Sequence, residues 1–306
     1  MGFLQCMRLT AILAALLAGV NAAGSAYGSD GRPNGGSKPV WSPDGTKVAF
    51  LSGTPNRPLN LWIAEAEGDS APRQLTRLGA RLTGWAADGK TLYCETMRGG
   101  SSSLYKVDVA AGVQTPALSF LPQGATDIAW SPEGSHVAYV VPHQEHRDLW
   151  VAGTDGTGHR QLTESLHVRS MDWSPAGDAI AFDVGGVAGR STYTVDASGE
   201  SEPTKVFGGI GSDPSWSPDA SLLALVGMHS LTVVKTDGGG AKRLHVSQAD
   251  RTPLDWSADG RRLAFTAVQG RTLGISTVDV ETEEQVTIAA PWDLAGYARW
   301  SPDGRL

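Results

Sequence analysis

Short apolar runs recur along the chain, and turn-forming residues bound each of them. The runs are Val48–Leu51, Leu92–Cys94, Val137–Val141, Ile180–Phe182, Leu222–Val226 and Leu263–Phe265. Runs of this length between Gly, Pro and Asp residues favour strands that are buried on both faces. Gly or Pro interrupts every segment that could hold a helix of about 10–12 residues, and no segment keeps a helical apolar period. The pattern therefore predicts an all-β protein.

A second strand signal follows each apolar run, and a shorter one closes the unit. The second signals are Leu61–Ile63, Leu104–Val107, Leu149–Val151, Thr192–Val195, Leu231–Val234 and Leu273–Ile275. Closing strands are exemplified by Gln74–Thr76 and Gln161–Thr163. Together with the segment before each apolar run, these signals predict units of four strands.

Seven of the ten Trp residues mark the same point of this unit. These marker Trp residues are Trp41, Trp85, Trp130, Trp173, Trp216, Trp256 and Trp300, and successive ones are 40 to 45 positions apart. Each begins the pentapeptide Trp-Ser-Pro-Asp-Gly or a close variant. Pro presets φ, Asp bonds the nearby backbone and Gly accepts positive φ, so the pentapeptide predicts a hairpin turn. The turn acids therefore have a structural role; they are Asp44, Asp88, Glu133, Asp219, Asp259 and Asp303.

Four-stranded repeats of about 40–45 residues are typical of β-propeller blades. Six complete repeats lie between Trp41 and Arg299, and Trp300 begins a seventh that stops at Leu306. The count favours a propeller of six blades, with a seventh, truncated blade as the alternative. Because one blade cannot bury both of its faces, we expect the marker Trp residues to anchor neighbouring blades to each other.

The chain divides into three segments. Residues 1–23 are predicted to be a signal peptide, because an apolar stretch from Leu9 to Val20 follows Arg8 and ends at a small-residue cleavage site. Residues 24–37 are predicted to be a flexible leader rich in Gly and Ser, and residues 38–306 the propeller. No later segment is long enough for a spanning helix. Cys94 would be the one cysteine left, so we expect no disulfide framework.

Composition and motifs narrow the function classes. The net charge is −7 without any basic run, which argues against nucleic-acid binding. The sequence contains no nucleophile elbow Gly-x-Ser-x-Gly, phosphate loop, metal-binding cysteine set or paired catalytic carboxylates. We therefore predict no catalytic residue, resident metal or cofactor, and the sequence favours a binding protein over an enzyme.

The most polar segment joins the second and third strands of the third repeat. It contains His143, Glu145, His146 and Arg147. With His167 from the next connection, these side chains could form a metal site, but a solvated surface is the simpler interpretation. Loops held by a rigid scaffold often carry function, so the segment is also a candidate contact for a polar partner.

Acidic residues precede four marker Trp residues. Asp127 and Asp213 stand three positions before the Trp, and Asp172 and Asp255 one position before it. On an extended strand these positions share a face, which could line the centre of a propeller and attract a cation or a basic peptide. The alternative is that each carboxylate binds a neighbouring backbone amide. Trp292 has no equivalent in the other repeats and is a candidate surface contact.

The Trp-Ser-Pro-Asp-Gly turn, the Val/Leu/Ile-Ala-Phe/Tyr strand, the Leu-Trp/Tyr strand and the closing Gln-Leu-Thr resemble the WD-like repeats of the TolB propeller family over residues 38–306. The resemblance implies a periplasmic or secreted bacterial propeller that acts as a monomeric binding platform. It implies an envelope protein or peptide as partner, such as a peptidoglycan-associated lipoprotein.

The same repeats occur in other kinds of protein. Propellers of prolyl-oligopeptidase-type peptidases and of some polysaccharide lyases share them, so an enzyme-linked propeller is the alternative function. The sequence has no counterpart of the α/β domain that precedes the propeller in the family's namesake. We therefore do not expect roles that depend on that domain.

Overall fold

The computed structural model describes residues 39–52, 59–67, 70–77, 79–98, 101–186, 189–209, 211–227, 230–246, 254–269, 272–287 and 299–301. The predicted signal peptide 1–23, the leader 24–37, Asp303 and Trp292 lie outside the described residues, so their predictions remain untested. Within the described ranges, no helix is long and apolar enough to cross a membrane.

The first three sheets follow the first three repeats. Blade 1 contains β1 Val40–Trp41, β2 Lys47–Ser52, β3 Asn60–Glu65 and β4 Arg73–Gln74. Blade 2 contains β5 Arg81–Trp85, β6 Thr91–Arg98, β7 Ser101–Asp108 and β8 Gln114–Pro116. Blade 3 contains β9 Thr126–Trp130, β10 His136–His143, β11 His146–Gly153 and β12 Arg160–Gln161.

The remaining sheets follow the next three repeats. Blade 4 contains β13 Val168–Trp173, β14 Ala179–Gly186, β15 Gly189–Asp196 and β16 Thr204–Gly208. Blade 5 contains β17 Ser212–Trp216, β18 Leu222–Val226, β19 Leu231–Lys235 and β20 Ala241–Leu244. Blade 6 contains β21 Asp255–Trp256, β22 Arg262–Gln269, β23 Thr272–Asp279 and β24 Gln285–Thr287.

Every sheet has its four strands in sequential, antiparallel order. The fold class is therefore that of an all-β propeller with six four-stranded blades, as the repeats predict. Each apolar run lies in the second strand of its blade. Six of the seven marker Trp residues end a first strand, and Trp300 lies outside the described strands. The predicted two-face burial is clearest in β18, whose last four residues are all buried.

The described residues form two compact units, each with its own packing. In the unit that extends to Ser119, one apolar cluster joins blades 1 and 2. In the unit Phe120–Trp300, separate clusters join blades 3 and 4, blades 4 and 5, and blades 5 and 6. Among the described residues, the cluster between blades 4 and 5 has three buried members, Ala181, Trp216 and Leu223. The first strands of successive blades contact one another within each unit.

Four marker Trp residues are buried in these clusters, as expected for anchors between blades. They are Trp85, Trp173, Trp216 and Trp256. Each indole N–H also donates to a backbone carbonyl of the preceding blade, at the residue just before that blade's marker Trp. The acceptors are Val40, Ala129, Asp172 and Ser215, at 3.0–3.1 Å. A smaller apolar side chain would lose this hydrogen bond as well as packing.

The pentapeptide turn holds itself together through its own side chains. In blade 1, the Ser42 hydroxyl donates to the Asp44 carboxylate at 2.6 Å and accepts from the Lys47 amide at 2.9 Å. Asp44 also accepts from the Thr46 amide at 3.0 Å. Gly45 has φ of 68°, the left-handed region that glycine adopts without strain. These contacts confirm the structural role predicted for the turn acids described by the structure.

Candidate functional site

The polar segment of blade 3 forms a tight hairpin. His143 ends β10 and pairs with His146 at the start of β11, so Gln144 and Glu145 alone make the turn. Gln144 has φ of 53°, a conformation that two-residue hairpins require and that non-glycine residues adopt at some strain. The side chains of His143, Glu145 and His146 are exposed. The hairpin therefore presents three polar side chains in a fixed register.

Two further contacts bring more polar residues to this hairpin. The Arg147 guanidinium donates to the carboxylate of Asp127 and, at 3.2 Å, to the hydroxyl of Thr126. The Arg147 amide donates to the Leu166 carbonyl at 2.9 Å, which brings His167 alongside the hairpin. A ring nitrogen of His167 lies 3.2 Å from the Glu145 carbonyl oxygen.

We refer to His143, Glu145, His146, Arg147, Asp127 and His167 as the hairpin patch. Five of the nine binding residues predicted from sequence meet in this patch, together with the His167 considered for a metal. Within the described part of the chain, however, no three His, Cys, Asp or Glu side chains are placed to hold a metal ion. The patch offers imidazole, carboxylate and guanidinium groups for hydrogen bonds and ion pairs.

Asp127 reaches Arg147 because its strand is not extended at this point. It has φ of 51°, and Asp213 at the same repeat position has φ of 52°. The register of their strands with the neighbouring strand shifts at both places. The expectation that acids three and one positions before the Trp share one face assumed a regular strand, and a bulge of this kind re-aims the side chain. These four acids therefore do not form one group.

Asp172 and Asp255 each bind the backbone amide of the marker Trp of the next repeat. The Asp172 carboxylate accepts from the amide of Trp216 at 3.0 Å, and the Asp255 carboxylate accepts from the amide of Trp300 at 2.5 Å. This matches the alternative in which each carboxylate binds a backbone amide, although the amide lies 44 or 45 residues away. The indole N–H of Trp216 also donates to the backbone carbonyl of Asp172. The carboxylate and the carbonyl of Asp172 therefore both hold Trp216 in place.

Asp172, Asp255 and Arg299 form a cluster, because Arg299 acts on both carboxylates. Its guanidinium donates to the Asp255 carboxylate at 2.8 Å. Burial raises the pKa of Asp172 to about 6, with the Trp216 amide and Arg299 acting against the rise and the charge of Asp255 adding to it. Burial also raises the pKa of Asp255, and Arg299 counteracts this. The cluster therefore has two carboxylates and one guanidinium. Each carboxylate also binds the amide of the marker Trp of the next repeat.

Asp213 lies apart from this cluster. Its carboxylate accepts from the Ser212 hydroxyl at 3.0 Å. Its charge acts on Asp183 of blade 4, which is buried. Burial raises the pKa of Asp183, and the negative charge of Asp213 raises it further. Sequence reasoning missed both Asp183 and Arg299. Aligning the repeats would have drawn attention to this position, which is aliphatic in blades 1, 3 and 5 and polar in blades 2, 4 and 6, where it is Glu95, Asp183 and Thr266.

Comparison with known proteins shows what this chain is similar to. The family described as the TolB beta propeller domain matches residues 32–220, more than half of the chain. An uncharacterized protein of Agrobacterium fabrum, Atu1656, is 27% identical over 204 residues, which covers 60% of this chain and 67% of that protein. The uncharacterized peptidase YuxL of Bacillus subtilis is 24% identical over 211 residues, covering 65% of this chain. The Tol-Pal system protein TolB of Gluconobacter oxydans is 35% identical over 97 residues, covering 29% of this chain.

The chain spans only 30% of the length of YuxL and 21% of that TolB. Among solved structures, an oligogalacturonate lyase in complex with manganese superposes with a TM-score of 0.66 at 16% identity, covering 87% of this chain and 82% of the lyase. TolB from Acinetobacter baumannii superposes with a TM-score of 0.61 at 16% identity, covering 79% and 63%. At this identity the superpositions show a shared fold.

Proposed function

Since the chain belongs to the TolB β-propeller family, we propose that it is an exported, non-catalytic platform that binds a protein or peptide in the bacterial periplasm or cell envelope. The observation that carries the proposal is the hairpin patch. Five residues singled out from sequence lie together there, and two contacts hold them in place: Arg147 binds Asp127, and His167 lies beside the backbone carbonyl of Glu145. A preorganised polar surface loses little freedom when it binds a partner.

The contrast between the two ends of blade 3 supports this assignment. At the turn end, Asp155 uses its carboxylate on the amide and hydroxyl of Thr157 within the same turn. At the opposite end, the side chains of His143 and His146 project from the hairpin and are exposed. The turn residues form hydrogen bonds with each other, whereas the exposed imidazoles of His143 and His146 can bind another molecule.

Binding can be tested by affinity capture with a patch variant and a matched control. We expect the full chain to capture a defined protein from envelope extracts of the source bacterium. The variant His143→Ala/His146→Ala should lose it, and Asp155→Asn, which alters one polar side chain at the other end of the same blade, should retain it. Equal capture by the patch variant would contradict the assignment of the site.

The alternative function is that of an enzyme-linked propeller, favoured by the peptidase relative and the lyase structure. The purified chain can be assayed on proline-containing peptides and on oligogalacturonate, with and without manganese. Turnover of either substrate by the pure chain, absent from a mock preparation, would overturn the non-catalytic proposal. We expect no turnover.

Export is tested separately. The apolar stretch after Arg8 supports an export signal. Residues 1–28 fused to a reporter enzyme that is active only in the periplasm should give activity, and Leu13→Arg/Leu16→Arg in the stretch should abolish it. A reporter that stays inactive with the unaltered segment would contradict export through this signal.

A further inference from the structure

One cross-strand pair distinguishes blade 4 from its neighbours. Ten positions after the marker Trp, the second strand pairs with a residue of the third strand, and both side chains face the next blade. In blades 1, 3 and 5 this pair is aliphatic and buried: Leu51–Leu61, Val140–Leu149 and Val226–Leu231. In blade 4 it is Asp183–Thr192, and each of these residues is only 1% exposed.

The oxygens of this pair are not all used. One carboxylate oxygen of Asp183, Oδ1, accepts from the Ser170 hydroxyl. The other, Oδ2, and the hydroxyl of Thr192 are buried and have no hydrogen-bond partner among the described residues. The guanidinium of Arg190 lies 3.8 Å from Asp183 Oδ2, beyond hydrogen-bond distance, and its side chain is 31% exposed.

The surroundings of the pair leave an excess of negative charge. Asp213 of blade 5 acts on Asp183 electrostatically, and among the described residues the guanidinium of Arg190 is the cation that acts on Asp183.

Such a pair is unfavourable for stability alone. A buried carboxylate oxygen without a partner loses its hydration. The aliphatic pairs of blades 1, 3 and 5 show that apolar side chains can fill this position in the fold. Buried polar groups that remain unsatisfied require an explanation, and a missing ligand is one. Here the ligand must donate hydrogen bonds, carry one positive charge and be small.

We propose that Asp183 and Thr192 form a binding site between blades 4 and 5 for a primary ammonium group, such as that of a bound peptide. An ammonium group donates three hydrogen bonds, which suits Asp183 Oδ2, Thr192 Oγ1 and one further oxygen. Hard metal ions such as Ca²⁺ take about six to eight oxygen ligands, and the described residues hold no metal-binding group of three such side chains. The partly exposed Arg190 would give way to the incoming group.

The assignment rests on the proposed function for the source of the ammonium group, but its test does not need a partner. The full chain is titrated at pH 7.5 and constant ionic strength with n-butylammonium chloride, an analogue of the lysine side chain. Binding is followed by calorimetry and by the melting temperature. We expect saturable binding that KCl and tetramethylammonium chloride, which cannot donate hydrogen bonds, do not reproduce.

Variants locate the site. Asp183→Val/Thr192→Leu copies the aliphatic pair of blade 5 and should remove the response, as should Asp183→Asn, which preserves the shape of the side chain. The matched control Glu95→Val removes a charge at the same repeat position of blade 2 and should respond like the unaltered chain. An equal response to KCl, binding retained in the folded Asp183 variants, or no response of the unaltered chain would each overturn the site.

Two model compounds separate the sources of the amine. Nα-acetyl-lysinamide offers a lysine side chain, and glycyl-glycinamide offers a peptide N-terminus. Binding of either supports the site and identifies the part of a peptide it takes; binding of neither, under conditions where butylammonium binds, overturns the peptide assignment. Because capture of the envelope partner is measured separately, failure of that assay is distinguishable from failure here.

Discussion

Acidic residues occupy two regions of this propeller, and their surroundings are opposite. At the pentapeptide turns, Asp44 accepts hydrogen bonds from Ser42 and Thr46 in the open, and these hold its pKa at about 2. On the inner faces of blade 4, Asp172 and Asp183 lie among protein atoms, and burial raises the pKa of both. The turn acids are repeated because they stabilise the pentapeptide turns of five of the six blades. The inner acids recur in only some blades: Asp172 has a counterpart in Asp255, and Asp183 has one in Glu95. At the Asp183 position blades 1, 3 and 5 have apolar residues, so a buried carboxylate there opposes the local preference for apolar packing.

The difference between the turn acids and the inner acids shows which repeated side chains belong to the architecture and which indicate a function. A side chain that recurs in register with its hydrogen-bond donors belongs to the architecture. A side chain that departs from the register and leaves polar atoms unsatisfied indicates a local function. The following experiments test this distinction, beginning with the largest expected effect.

Replacing the inner pair Asp183–Thr192 by Val and Leu should stabilise the protein. The variant restores the aliphatic pair of blade 5 and removes a poorly paired buried carboxylate, a type of change that gains about 1–4 kcal/mol. Urea unfolding at pH 7 should show the midpoint rising. Glu95→Val in blade 2 serves as control, with a smaller change expected because Glu95 is only partly buried. A loss of stability in the double variant would show that the carboxylate is well satisfied in the free protein.

Asp172→Asn should alter the pH dependence of stability in the opposite sense to a turn acid. The folded pKa of Asp172 is raised to about 6 from 3.8, so the folded state binds the proton more tightly and stability falls as pH rises from about 4 to about 6. Asn cannot ionise, yet it still accepts from the Trp216 amide. The variant should therefore gain on the unaltered chain across this window, by about 1–2 kcal/mol because part of Asp172 still reaches solvent.

Asp44→Asn is the control for this measurement. Its folded pKa is lowered to about 2, so its stabilising contribution is complete above about pH 4 and is lost as pH falls toward 2. The difference between this variant and the unaltered chain should stay constant from pH 4 to 6. A constant difference for Asp172→Asn as well would mean that Asp172 is not buried in solution.

Much of this fold is readable from the sequence, because its information is local. The turn signals and apolar runs lie within a few residues of one another, so all six blades and the hairpin that carries His143 and His146 are predicted at the right places. The contacts of Asp172 and Asp255, in contrast, depend on residues 44 or 45 positions away. Nothing near Asp172 in sequence indicates that its partner is the Trp216 amide. The left-handed φ of Asp127 coincides with a shift in register between β9 and β10, which the sequence does not indicate either.

One turn departs from its repeat and offers a test of the architecture. Ala220 occupies the position that is Gly in the other described pentapeptide turns, and its φ of 59° is strained for any residue with a Cβ. Ala220→Gly should relieve this strain and raise stability by about 0.5–1 kcal/mol, less the packing of its methyl group. The reverse change Gly260→Ala, at φ of 68°, should lower stability by about 1 kcal/mol. Thermal unfolding of both variants checks the pair, and equal signs would contradict the explanation.

The smallest effect is expected from a single turn acid. Asp259 accepts from the Ser257 hydroxyl at 2.5 Å and from the Arg261 amide at 3.0 Å, with little burial. Asp259→Ala removes both hydrogen bonds, but water replaces the lost partners, so the loss should be about 0.5 kcal/mol. The hydrogen bond from Ser257 makes the largest contribution to lowering the pKa of Asp259.

The pH dependence of the stability lost in Asp259→Ala distinguishes the turn acids from the inner acids. A lowered folded pKa gives stability that is present above the ordinary value of 3.8 and disappears as pH falls through the folded pKa. The difference between Asp259→Ala and the unaltered chain should therefore shrink on acidification below about pH 4 and stay constant between pH 4 and 6, where the Asp172 difference changes. Melting temperatures across both windows would decide it. A difference for Asp259 that grows on acidification would place this turn acid with the inner acids and remove the distinction between the two regions.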